Sequence, residues 1–176
     1  MASIPFLDRD IIVGLPEVKL DGISVGYLAE GKGVDIVPIN NFLQFKYGRP
    51  LLVVKQIVIE QLCSVKLSFA QFNPDNIANS LVNAIVDDQT LPGQTIVYWG
   101  GSSSFQTKQL DIIFTKPEGR VITFQAYKVV SFSKPTFSFI ANKWTEIDTE
   151  WQLLADFTKP AGERYFRFIF DNEPAS

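Results

Sequence analysis

The 176-residue chain has no histidine and a single cysteine. Without histidine it lacks the usual general base, the usual metal ligand and the usual pH switch of neutral solution. One cysteine, Cys63, excludes an internal disulfide and a thiolate zinc cage. Charged residues are scarce at 20%, below the ~25% usual in soluble domains, so part of the surface reads as covered by partners rather than water. The balance of 19 acidic and 16 basic side chains leaves a net charge of −3. With no basic tract, that argues against nucleic-acid binding by charge. No stretch approaches the ~18 apolar residues of a membrane span. The opening Met1–Asp10 lacks the basic start and apolar run of a signal peptide. The expectation is a soluble protein of a reducing cytoplasm, with no membrane partner and no cofactor.

What is abundant is period-two patterning. From Ile57 to Phe69 the odd positions read Ile57, Ile59, Gln61, Cys63, Val65, Leu67 and Phe69, while Glu60, Ser64, Lys66 and Ser68 fall between them. Such alternation predicts a strand, or two strands bent at a bulge near Gln61. Leu110–Thr115 and Val121–Tyr127, joined by Lys116-Pro117-Glu118-Gly119, read as a hairpin. Further strands are expected at Ile11–Gly14, Val25–Ala29, Val34–Val37, Thr95–Trp99, Thr136–Ile140, Trp151–Phe157 and Tyr165–Phe170. One helix is predicted. Asn73 offers an N-cap, Pro74 suits the first helical position and Asp75 the positive end of the dipole. Ile77, Leu81, Val82 and Ile85 then share one face, and the helix should end near Asp87-Asp88. The fold class expected is mainly β, a sandwich or barrel with one flanking helix, in a single domain over residues 1–176.

Two connections carry more than spacing. Asn40–Pro50 is long for a loop and holds Phe42, Leu43, Phe45 and Tyr47. Solvated loops are polar, so this one should lie against something, unless it is a strand with a tucked side chain or two. Gly100–Ser104 reads as a mobile hairpin tip.

Motifs for chemistry are sparse. Gly22-Ile23-Ser24-Val25-Gly26 has the spacing of a nucleophile elbow. It lacks the histidine and the following helix that such a turn needs, and reads as a glycine turn. Gly31-Lys32-Gly33 is too short for a phosphate-binding loop and precedes a strand, so it reads as a hairpin turn. Asp87-Asp88 near Asp75 falls short of the regular spacing of a calcium site and reads as a solvated loop. No pair of carboxylates is singled out for glycoside hydrolysis. Trp99, Trp144 and Trp151 would suit a sugar platform, but Trp151 alternates with Leu153 and Ala155, and Trp144 lies near Phe137 and Phe139. That is the pattern of core or interface.

The order of elements carries a resemblance. Val65-Lys66-Leu67-Ser68-Phe69-Ala70 runs into Asn73-Pro74-Asp75-Asn76-Ile77-Ala78. Ile122-Thr123-Phe124-Gln125-Ala126-Tyr127-Lys128-Val129 follows, then Trp144-Thr145-Glu146-Ile147 and Trp151-Gln152-Leu153-Leu154-Ala155-Asp156. From about Val13 to Phe170 the chain resembles the tail tube proteins of bacteriophages and the related tube proteins of contractile injection machines. The resemblance implies a non-enzymatic virion protein forming hexameric rings that stack into a tube, the conduit for genome delivery. It further implies that strands of neighbouring subunits join in one inner barrel and that a long hairpin loop, here Asn40–Pro50, reaches the adjacent ring. Met1–Asp8 and Asp171–Ser176 would be a terminal arm and tail making further contacts. The partners implied are copies of itself and other tail proteins (sheath or terminator, baseplate, tape measure), with DNA passing through unbound.

The residues support self-assembly separately. Leu51, Leu52, Val53, Val54, Ile57, Val58 and Ile59 put apolar side chains on both faces of one strand. Burying a large aliphatic side chain is worth ~1.5–3 kcal/mol, so a monomer gains by covering them. Phe42, Phe45, Tyr47 and Arg49 are the candidates for ring stacking, and Leu51, Val53 and Ile57 for a sheet between subunits. The rival readings are a monomeric β-sandwich carbohydrate-binding module, another ring-forming tail part such as a terminator or baseplate component, and an enzyme working without histidine.

Overall fold

The structure is a computed structural model that describes residues 16–26, 28–29, 32–101, 106–116, 119–135, 137 and 146–171. Its strands are β1 (Glu17–Leu20), β2 (Ile23–Ser24), β3 (Asp35–Tyr47), β4 (Leu52–Phe69), β5 (Ile85–Asp87), β6 (Ile96–Tyr98), β7 (Lys108–Thr115), β8 (Val121–Ser131), β9 (Ile147–Leu153) and β10 (Phe166–Phe170), with one helix, α1 (Pro74–Ser80). The main sheet has eight strands in the order β2-β1-β7-β8-β9-β4-β3, with β10 also on β8, and β5–β6 form a separate ribbon. Every pairing is antiparallel. The mainly β class with one helix is as the alternation predicts.

The middle strand is shared. One edge of β8 pairs with β7; the other takes β10 along Ile122–Ala126 and β9 along Val129–Ser131. The two partners part at Tyr127, whose N–H donates to Tyr165 O, and Lys128, whose carbonyl accepts from Leu154 N. At the far end, the segment leaving β2 crosses to β4, where Leu28 bridges Phe69 and Ala29 N donates to Ser68 O. This tie curls the sheet around one core. Successive inward positions fill it: Cys63, Val65, Leu67 and Phe69 of β4, Leu110 and Ile112 of β7, Phe124 and Ala126 of β8, and Ile147, Trp151 and Leu153 of β9. Phe69 and Trp151 meet at 5.9 Å between ring centres.

The helix begins as predicted and stops early. Asn73 Oδ1 accepts from Asn76 N at 2.7 Å, with Pro74 at the first turn. Yet α1 ends at Ser80: Leu81 is already extended, at φ −104° and ψ 142°, and Asn83 sits at φ 57°. The helix thus closes at its C-cap, Leu81, and Asn83, a residue that enters the left-handed region at little cost, then turns the chain into β5. Ile85, expected on the helix face, therefore lies on β5 and is exposed. Ile77 packs against the core as its spacing predicts, but the fully buried residues of α1, Asn76 and Ser80, are polar. Asn76 Nδ2 donates to Gln71 O and Ser80 Oγ to Ile77 O, while Ser80 O accepts from Ser131 and Ser133. Trp151 Nε1 donates to Asn79 O at 3.3 Å, anchoring the helix to the core.

Other boundaries also move. Of the strand expected at Val25–Ala29 only the bridge at Leu28 is present among the described residues, β2 lying just before it, and that expected at Trp151–Phe157 starts earlier, at Ile147, and ends at Leu153. Asp21 and Gly22, both at positive φ, form the β1–β2 turn, the geometry that matches strand twist in a two-residue hairpin. The nucleophile-elbow pattern is thus a hairpin, as its missing partners imply. The β7–β8 hairpin is present, closed by Lys116 N to Arg120 O. The strand expected at Ile11–Gly14 and most of that at Thr136–Ile140 lie outside the described residues, as do Met1–Asp8, Trp144, residues 102–105 and residues 172–176.

Candidate functional site

The segment expected as a loop, Asn40–Pro50, is strand as far as Tyr47. β3 and β4 form one long hairpin, paired from Asp35↔Lys66 out to Tyr47↔Leu52, with a tip at Gly48-Arg49-Pro50-Leu51. β9 accompanies β4 only over Ser64–Phe69. Beyond about residue 60 the two strands project as an arm of some 28 Å, at ~3.3–3.4 Å per residue. Both of its edges are open among the described residues, since β3 pairs only with β4. An isolated two-stranded ribbon is marginal in water, and open edges invite another chain.

The arm carries two bulges. Between Asn41↔Glu60 and Phe42↔Val58 the register skips Ile59, and between Phe45↔Lys55 and Lys46↔Val53 it skips Val54. The bend expected near Gln61 thus lies two residues away. Each bulge reverses which β4 positions share a face. Phe42, Val58 and Val53 lie on the side continuous with the core, and Leu43, Phe45, Tyr47, Ile57 and Leu52 on the other. Neither side is covered. Phe42 is 50% exposed, Phe45 44%, Tyr47 78%, Leu51 68%, Val53 47% and Ile57 40%, and Arg49 is exposed in the tip. All seven residues singled out from the sequence stand on this arm. They interleave, however, rather than dividing into a stacking set and a sheet set.

Two other exposed apolar surfaces carried weaker signals. On β10, Phe166, Phe168 and Phe170 form an aromatic row packed on Phe124, with Phe168 and Phe170 largely open. The alternation of that row is visible in the sequence. Beside α1, Ile23, Ile85, Leu91, Tyr98 and Trp99 are exposed, scattered over short elements with no common period.

Several ionisable groups are occupied structurally. Lys32 bridges Asp148 at 2.8 Å and Glu146 at 2.7 Å. The hydrogen bond to Asp148, then that to Glu146, holds its ammonium above the ordinary range. The same contact with Lys32, aided by the Ser68 hydroxyl, holds Asp148 below the usual carboxylate range. Asp87 is lowered by the Thr90 hydroxyl and the Gln89 and Thr90 amides, so it caps its own turn. Burial pushes the Cys63 thiol up. Among the described residues no group of three or more Asp, Glu, Cys or His is placed to hold a metal. Of the three tryptophans, Trp151 is core and Trp99 is exposed. No helix of the described residues is long and apolar enough to cross a membrane.

The described residues therefore define a mainly β fold from which the β3–β4 arm projects without a strand partner among them. Among solved structures, the chain is similar in fold to the cap of the anti-feeding prophage, solved by cryo-electron microscopy and described as its tube terminating cap. The TM-score is 0.52 over 97% of this chain and 100% of that one, at 11% identity. At that identity the likeness is one of fold. No protein-family model matches the chain, and no curated protein does.

Proposed function

We propose that the chain is a non-enzymatic structural subunit of a phage-type tail or injection device, which completes its fold by assembling with copies of itself into stacked rings. The observation that carries this is the β3–β4 arm, open on both edges among the described residues and apolar on both faces. Strand pairing along those edges supplies the missing hydrogen bonds, and a neighbour covers side chains whose burial is worth ~1.5–3 kcal/mol each. The fold likeness to a tube-terminating cap supports the tail setting, as does the resemblance of the sequence to tail tube proteins. Ring number six, passage of DNA, and sheath, baseplate and tape-measure partners follow from that resemblance.

A second reading has its own support. The similar structure is a cap, so the chain would equally suit a terminator that closes a tube without extending it. Negative-stain electron microscopy of the concentrated protein separates the two. Tubes support a tube subunit, single rings a terminator, and monomers at every concentration overturn both.

A further inference from the structure

We propose that the arm tip of one copy docks in the groove beside α1 of a second copy, making these two surfaces the donor and acceptor of one head-to-tail contact. The inference rests on the self-assembly reading and names the surface that receives the arm. Strand β4 is the ruler. Leu52 stands at the tip and Phe69 at the other end, just before α1, so some 50 Å separates tip from groove at ~3.3 Å per residue. The tip cannot reach the groove of its own chain.

The two surfaces complement each other in charge and in greasiness. Lys46, Arg49 and Lys55 surround the tip, and no acidic residue occurs between Phe42 and Ile59. None of the three pairs with a described carboxylate. The groove, about 450 Å³, is lined by Asp21, Ile23, Asp75 and Val86, and Asp88 lies two residues past Val86. Lys108, the one cation among its described lining residues, donates to Asn79 Oδ1 at 2.6 Å and leaves the two lining aspartates in excess. Tyr47 and Leu51 are the most exposed apolar residues of the tip, and Ile23 is comparably bare in the groove wall. Opposite charges flanking apolar patches steer the encounter and suppress the wrong register. Because donor and acceptor differ, each copy keeps one of each free, and addition continues until it closes on itself or extends.

The test is charge exchange. One variant carries Lys46→Glu, Arg49→Glu and Lys55→Glu; the other carries Asp75→Lys and Asp88→Lys. Each alone opposes like charges across the contact, and its sedimentable assembly should fall at least tenfold relative to wild type. An equimolar mixture pairs each reversed surface with its opposite and should regain most of the wild-type amount. Circular dichroism checks that both variants are folded. Should either fail to fold, a Tyr47→Cys, Ile23→Cys protein should give a ladder of covalent multimers on mild oxidation, with at most dimers from Tyr47→Cys alone. A variant that assembles like wild type, a mixture of folded variants that stays dispersed, or a double-cysteine protein without a ladder overturns the groove as acceptor. Those results leave self-assembly standing, whereas a wild-type protein that never assembles removes both.

Discussion

Replacing Phe42 and Phe45 by serine isolates what the arm contributes to assembly from what it contributes to the subunit. An aromatic side chain buries ~150–250 Å² when fully covered, and these two are 50% and 44% exposed. About 95 Å² of each therefore remains for a neighbour to cover. At ~25 cal/mol per Å² this amounts to about 5 kcal/mol for the pair. Ordering of side chains at the contact consumes part of it, so the expected loss is ~3–4 kcal/mol, or about 10²–10³-fold in association. The subunit itself loses only the cross-strand contacts of Phe42 with Val58 and of Phe45 with Lys55, each ~0.2–1 kcal/mol. Its melting temperature should fall by less than ~8 °C. Analytical ultracentrifugation over a concentration series reads the first effect and a thermal melt the second. Assembly that is unchanged in the double variant refutes the role given to the arm. A melting temperature lowered by twenty degrees or more (well beyond that ~8 °C ceiling) would show instead that the two rings belong to the core.

Three further outcomes follow from the packing of the core, the helix cap and one ion pair. Trp151→Ala empties a fully buried position that touches Phe69 and holds Asn79, and should cost about 3–5 kcal/mol in urea unfolding. Asn73→Ala removes the oxygen that caps α1 and should cost ~1 kcal/mol by the same assay. Asp156 is held below its usual range first by Lys128, 2.9 Å away, and then by the Thr158 amide. A lowered carboxylate stabilises above its unfolded value, here 3.8, and that support disappears as pH falls through the lower folded value. Asp156→Asn should therefore melt below wild type at pH 7 and match it at strongly acid pH; an equal gap at both would refute the linkage.

Much of the fold is legible in the chain because period-two alternation survives wherever one face meets the core. β4 from Cys63 to Phe69, the β7–β8 hairpin and β10 all announce themselves in this way. The helix start is equally plain, since Asn73 and Pro74 act locally. Its end is not: the apolar spacing of Ile77, Leu81 and Ile85 continues past Ser80, although the backbone is already extended at Leu81 and turns at the left-handed Asn83. The arm illustrates a different limit. Its residues are conspicuous as too apolar for a loop, and Leu43, Phe45 and Tyr47 do alternate with Gln44 and Lys46. It is the partner β4 whose alternation the two bulges at Ile59 and Val54 scramble, so the pairing that makes a strand of Asn40–Tyr47 is masked. The groove beside α1 is harder still. Its walls come from Asp21–Gly26, Asn73–Asn79 and Ala84–Val86, brought together by the way the chain crosses from β2 to β4.

The three cations at the arm tip have an effect before any partner arrives. Two sticky ribbons meeting side by side in solution would be the simplest route to disordered clumps, and lysine and proline are residues that blunt such meetings. Lys46, Arg49, Pro50 and Lys55 all occupy the outermost stretch of the hairpin, so like tips repel. That repulsion is screened beyond ~10 Å at 0.1 M salt. Tip-to-tip pairing should accordingly be rarest in dilute buffer, and added salt should raise the share of disordered aggregate relative to ordered assembly.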